Sequence, residues 1–300
     1  MNNQIRLGID LGGTKTEIIA LSESGEALLR ERVTTVRDDY QATLSTVKQL
    51  VEQVENALQQ QCTVGIGTPG AISPQTGLLK NSNSTWLNGK PLLKDLEEVL
   101  QRPVRIANDA NCFALSEAID GAAKDAGVVF GVIVGTGTGA GIVVGKKILV
   151  GCNAIAGEWG HNPVPWPDAE EVPGPRCYCG KRGCIETFLS GPGMAKDFYD
   201  MTGVQITAAQ ITQLASEGDE NAHIVANRYE HRMAKCLASI INVLDPDVIV
   251  LGGGMSNIET LYSNVPKLWG KYVFSDTVNT KLLAPKYGDS SGVRGAAWLW

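Results

Sequence analysis

Apolar and polar positions along this chain follow a strand plan that occurs twice. Ile5 to Asp10 reads as a strand, Leu11-Gly12-Gly13-Thr14 as a turn, and Thr16 to Leu21 as a second strand. Ser22 to Gly25 turns again into Glu26 to Thr34. About 125 residues later the plan recurs: Val128 to Val134, a Gly/Thr turn, Gly141 to Val144, a turn at Gly145-Lys146-Lys147, and Ile148 to Val150. The echo predicts two related lobes, each presenting a glycine-rich hairpin to a shared cleft.

Helical periodicity follows each meander. Tyr40 to Gln59 places Leu44, Val47, Val51, Val54 and Leu58 on one face. Pro91 to Leu100, Ala110 to Ala122, Asn221 to Leu244, Ser256 to Trp269 and Val293 to Trp300 also read as helices. Cys62 to Gly67, Val104 to Ala107 and Asp247 to Leu251 read as buried strands. Asn153 to Ile185 is rich in Pro and Gly with little periodicity. A stretch of that length inside a compact domain is expected to be functional or cross-linked. The predicted class is α/β, with lobes at residues 1–120 plus about 286–300 and at 121–285.

Composition narrows the function. With 43% hydrophobic and 19% charged residues among 300, the chain can bury a large core and is neither disordered nor a disulfide scaffold. A net charge of −6 argues against a nucleic-acid binder. Ala126 to Gly145 carries no charge, but its Gly-rich centre is a poor helix, so two strands are expected there and no membrane span. The 7 cysteines are an odd number, and Met1 to Gln4 shows no signal-peptide pattern, so reduced thiols and a cytoplasmic location are expected.

The motifs carry the chemistry. On the first hairpin, Gly12 and Gly13 let backbone N–H groups approach an anion, Thr14 and Lys15 add donors, and Asp10 suits Mg²⁺. Gly135, Thr136 and Gly137 echo this in the second half, and two such turns can clamp one polyphosphate. Neither is a P-loop or a dinucleotide fingerprint. Gly252-Gly253-Gly254 follows a strand and fits a nucleotide at a helix start. Asn108-Asp109 lies between a strand end and a helix start; it reads either as a helix cap or as the carboxylate that accepts a hydroxyl proton in phosphoryl transfer. His161 with Cys177, Cys179 and Cys184 is a structural Zn²⁺ complement. Gly180 and Gly183 would let that tight loop fold back. Cys62, Cys112, Cys152 and Cys236 read as core, and His223 and His231 as helix surface.

Asp10-Leu11-Gly12-Gly13-Thr14-Lys15, Gly135-Thr136-Gly137-Thr138-Gly139, Glu158-x-x-His161 and Cys177-x-Cys179-Gly180-x-x-Gly183-Cys184-x-Glu186 together resemble the ROK family of sugar kinases, repressors and open reading frames. The segments Asn81–Gly89, Gly157–Trp166 and Gly288–Trp300 resemble its bacterial fructokinase (mannofructokinase) branch. The resemblance implies an actin-like (ribonuclease H-like) two-lobed fold with an interlobe cleft, ATP with Mg²⁺, and a structural zinc. It implies Asp109 as catalytic base, and a sugar pocket lined by Gly70, Asn83, Asn108, Glu158, His161 and Glu186. His161 would give one ring nitrogen to zinc and the other to a sugar hydroxyl. A homodimer is expected. Only four residues precede the first strand in this sequence, so the DNA-binding domain of the family's repressors is not expected.

The expected activity is ATP-dependent phosphorylation of a hexose at its 6-hydroxyl. From the resemblance alone, fructose ranks first and mannose second, ahead of glucose and N-acetylglucosamine. Trp86 and Trp166 are candidates for crowding an N-acetyl group. A non-catalytic sugar sensor and an actin- or Hsp70-like ATPase are the rival readings; intact Asp109 speaks against the first, and the zinc cluster against the second.

Overall fold

The computed structural model describes residues 4–300, so all but the last residue of the Met1–Gln4 leader lies outside it. Twelve strands run β1 Arg6–Leu11, β2 Lys15–Leu21, β3 Ala27–Thr34, β4 Thr63–Thr68, β5 Ala71–Ile72, β6 Leu79–Lys80, β7 Val104–Asn108, β8 Val128–Val134, β9 Thr138–Val144, β10 Lys147–Ile148, β11 Val248–Gly252 and β12 Lys281–Leu283 among the described residues. The α-helices are α1 Tyr40–Leu58, α2 Leu92–Leu100, α3 Asp109–Ile119, α4 Glu186–Leu189, α5 Gly191–Thr202, α6 Ala208–Ser216, α7 Glu220–Leu244, α8 Thr260–Trp269 and α9 Ser291–Ala297.

The two large sheets share one topology. The first runs β3-β2-β1-β4-β7 and the second β10-β9-β8-β11-β12. In the first, β1 pairs antiparallel with β2 and parallel with β4. In the second, β11 pairs parallel with both β8 and β12. The charge-free stretch from Ala126 therefore forms β8 and β9, and no described helix is long and apolar enough to cross a membrane.

The chain divides into two compact units. One comprises residues up to Lys124 with Gly141–Ala156 and Asp289–Trp300; the other comprises Asp125–Ala140 with Gly157–Gly288. The boundary expected from sequence puts 141–156 in the second lobe, whereas the end of β9 and the β10 turn group with the first. In the first unit β1 and β4 are buried on both faces, α1 and α2 cover one face, and α9 covers the other. The apolar stripe Leu44, Val47, Leu50, Val51 and Val54 is what docks α1. Two glycines in adjacent strands let α9 come close: a side chain on Gly8 or Gly65 would run into the backbone of Val293–Ala297.

Several elements differ from expectation. α5, α6 and β12 carry no clear sequence period and are new. The helix expected from Ser256 is interrupted: a 3-10 turn covers Gly254–Asn257, and α8 starts only at Thr260. Ile258 takes an extended conformation between them, which places its side chain in the core. Cys62, Cys112 and Cys236 are buried as expected, but Cys152 is exposed because it sits in a turn after β10 and not on a strand.

Candidate functional site

In the first unit, Asp10 lies near the end of β1, and the turn to β2 carries Gly12, Gly13, Thr14 and Lys15. Thr35 pins this turn, its hydroxyl donating to the Gly12 carbonyl at 2.8 Å and its N–H to the Thr14 carbonyl at 3.0 Å. Thr14 and Lys15 are exposed. Burial raises the Asp10 carboxyl to about 7; the negative charges of Asp109 and then Glu17 add to this, against Arg32. Asp10 and Asp109 therefore face a common space, where the charge of Asp109 resists ionisation of Asp10.

Asn108 ends β7 and caps α3, accepting from the Ala110 N–H at 2.9 Å, while its Nδ2 donates to the Gly70 carbonyl at 3.2 Å. The cap role considered for Asp109 thus falls chiefly to Asn108, although Asp109 Oδ1 also accepts from the Ala110 N–H at 2.8 Å. The Gly70 turn packs on the backbone of Lys80–Ser82, which brings the exposed Asn83 into its neighbourhood. The structure thus gathers Gly70, Asn108, Asp109 and Asp10. Trp86 is packed partly buried against the first core and donates from Nε1 to Thr43 Oγ1 at 3.3 Å.

In the second unit, parallel pairing of β8 with β11 sets the loops that follow them side by side, Gly135-Thr136-Gly137 and Gly252-Gly253-Gly254. Thr138 is a junction. Its N–H donates to Glu186 Oε2 at 3.0 Å. Its carbonyl lies against Gly160, where any side chain would collide with it, in the turn that carries Glu158 and His161. Glu158, His161, Glu186 and the second glycine hairpin are therefore neighbours.

His161, Cys177, Cys179 and Cys184 offer ligand atoms that all lie within 4.8 Å of one another. Cys179 Sγ is 3.6 Å from Cys184 Sγ, and Cys177 Sγ is 3.6 Å from His161 Nδ1. With Zn–S near ~2.3 Å and Zn–N near ~2.0 Å, a tetrahedron requires S···S of about 3.8 Å and S···N of about 3.5 Å. The donor set fits a zinc ion. Gly180 and Gly183 have φ of 88° and 68°, the left-handed backbone that turns the loop back on itself. His161 Nε2 pairs with the Tyr178 hydroxyl at 3.0 Å, so in this structure a tyrosine takes the position expected for a sugar hydroxyl. Tyr178 is largely exposed, and local desolvation with the charges of Glu186, Cys177 and Glu158 pushes its phenol upward, placing it among the same carboxylates. Trp166 is half-exposed and stacks on Tyr272 with ring centroids 5.3 Å apart.

The ROK family signature matches residues 6–300. The chain belongs to the ROK family. A ROK hexokinase from Thermus thermophilus shares its fold with a TM-score of 0.88 at 28% identity, covering 98% of this chain and 97% of that one. A ROK glucokinase from Streptomyces griseus, solved with glucose and AMPPNP, gives a TM-score of 0.78 at 26% identity, covering 98% of each chain. The fold is thus the actin-like α/β fold of ROK kinases. A Vibrio atlanticus protein named N-acetyl-D-glucosamine kinase is 42% identical over 297 residues, covering 97% of this chain and 98% of that protein. This ROK chain is therefore similar to a relative with a substrate other than fructose in its name.

Sequence reasoning missed Thr35, Tyr178 and the junction role of Thr138. Tyr178 carried a usable signal, since a residue between two ligand cysteines is held at the rim of the cluster. Thr35 carried none, because a hydroxyl closing a turn twenty-odd residues away leaves no local pattern.

Proposed function

We propose that this protein is an ATP-dependent hexose 6-kinase whose acceptor is N-acetyl-D-glucosamine. What supports the acceptor is the 42% identity, over nearly the full length of both chains, with a relative of that name. Fructose, ranked first from loop resemblance, loses support on two counts. That relative points elsewhere, and Trp86, a candidate for crowding an N-acetyl group, is engaged in the first core.

In this reading the sugar 6-hydroxyl gives its proton to Asp109 and attacks the γ-phosphate of ATP in line. Asn108 fixes the neighbourhood of the base by bonding at once to the α3 start and to Gly70. Glu158, His161 and Glu186 supply polar partners for the remaining hydroxyls. Gly12, Gly13, Thr14 and Lys15, with Gly135–Gly137 and the Gly252–Gly254 loop, bind the nucleotide. Asp10 is the carboxylate that suits Mg²⁺, which when bound offsets the charge developing on the phosphates. The zinc-binding loop fixes His161 and delivers Glu186 two residues after Cys184.

The test is kcat/KM for N-acetylglucosamine, glucose, mannose and fructose at saturating Mg-ATP, with ADP release followed. N-acetylglucosamine is expected to lead. Fructose leading by tenfold overturns the acceptor and leaves the kinase reading standing; no sugar-dependent ADP release from any of the four overturns both. Asp109→Asn, which keeps volume but cannot take the proton, is expected to cut kcat by about 10²–10⁴. Turnover kept within about threefold would remove Asp109 from the role of base.

A further inference from the structure

Within the second unit, Glu186 belongs to two parts of the proposed site at once. The motif gives its carboxylate to the sugar, yet in the structure Oε2 accepts from the Thr138 N–H at 3.0 Å, on the hairpin proposed for phosphates. A Cβ on Gly137 would stand 2.7 Å from that same oxygen, so the carboxylate fills the face of the turn that only a glycine leaves open. The other side of Thr138 is held by Gly160, between Glu158 and His161. The carboxylate thus occupies an N–H of a glycine turn built like an anion site, with an anion already in place.

A backbone N–H makes one good hydrogen bond. A phosphate oxygen approaching Thr138 must displace the carboxylate and also meet its charge. A sugar hydroxyl is also a donor, and several of them together compete with the single Thr138 N–H for the position of the carboxylate. We propose that Glu186 is a coupling residue: with no sugar present it holds the Thr138 N–H against phosphate, and sugar hydroxyls draw the carboxylate off and open the hairpin to the nucleotide. This rests on the kinase reading above and adds an order to it, sugar first. Linkage then requires that nucleotide tighten sugar binding by the same factor. ATP in the absence of sugar is held poorly, which limits its loss to water.

Calorimetric titration of Mg-AMPPNP, with and without N-acetylglucosamine, tests the proposal. In the wild type, sugar is expected to tighten the nucleotide within the usual coupling range of about 5–150-fold. Glu186→Gln keeps the shape and an acceptor for Thr138 but removes the charge. It is expected to bind nucleotide about tenfold more tightly than wild type without sugar, with the sugar-dependent factor falling to about one. Glu186→Ala removes the acceptor altogether and is expected to do the same. Zinc content and melting temperature matching the wild type identify variants that keep the loop. Equal nucleotide affinity with and without sugar in the wild type, or sugar-free affinity in both variants no better than wild type, overturns the coupling. If none of the four sugars binds the wild type, the acceptor reading fails. The comparison of variants without sugar then still decides whether Glu186 guards the hairpin.

Discussion

Replacing Asp10 by Asn should make the protein more stable, and by an amount that depends on pH. Burial foremost, then the charges of Asp109 and Glu17, lift this carboxyl from 3.8 to about 7 in the folded chain. Between these values the folded state holds a proton that the unfolded state has released. Stability from this group therefore falls as pH rises through that window and is level above about 7. Every tenfold weakening of the acid costs about 1.4 kcal/mol, so the full window is worth about 4 kcal/mol. The side chain is still partly reached by solvent, and screening reduces this to about 2–4 kcal/mol. Asn has no such proton to lose. Asp10→Asn should thus gain little near pH 4, gain steadily to pH 7, and gain no more above it. For a unit of this size that is about 5–10 °C in melting temperature at pH 8. The assay is thermal melting of both proteins in EDTA from pH 4 to 8, with turnover measured alongside and expected to fall. A variant that melts at or below wild type at pH 8, or a gap that does not change with pH, refutes the argument.

Metal analysis should find about one zinc per chain, and Cys179→Ser should lose it and melt earlier, because a structural zinc contributes folding energy directly; zinc-free wild type with full activity sinks the assignment. Gly160→Ala should raise the sugar KM and lower the melting temperature, since its methyl meets the Thr138 carbonyl; unaltered kinetics would show that the turn does not depend on that contact. Gly65→Ala should destabilise the first unit by more than about 2 kcal/mol, seen in denaturant melts, because its Cβ meets the α9 backbone, and an unchanged midpoint would contradict the packing described.

Much of the fold was legible because strand period and glycine turns are local signals. The repeat of the β1–β3 meander in β8–β10 already announces two sheets of one topology. The His/Cys donor set was legible for the same reason: three of its residues lie within eight positions and the fourth stands close upstream. α5 and α6 escaped because their helices begin at Ser190 and Thr207 caps inside Gly-rich or polar sequence. The identity of the acceptor was not legible. Sequence supplies carboxylates and an imidazole but not the free space around a sugar C2. Trp86 illustrates this: in the sequence it reads equally as a crowding residue or as core, and its packing on the first core rests on a partner in α1 more than forty residues away.

The placement of α9 has a consequence for synthesis. The two strands it covers, β1 and β4, are made early, and their Gly8 and Gly65 are shaped to receive its backbone. Arg294 pairs with Asp120, and the Trp300 indole donates to the Val64 carbonyl at 2.7 Å, so residues made late seal a sheet made early. At about 5–20 residues per second, the interval between leaving β10 and completing α9 is on the order of ten seconds. Through that time the segment that covers one face of the first sheet is missing, while all of the second unit, Asp125–Ala140 apart, is made. A chain that stalls within that span carries an exposed apolar face, and so remains visible to whatever removes unfinished proteins.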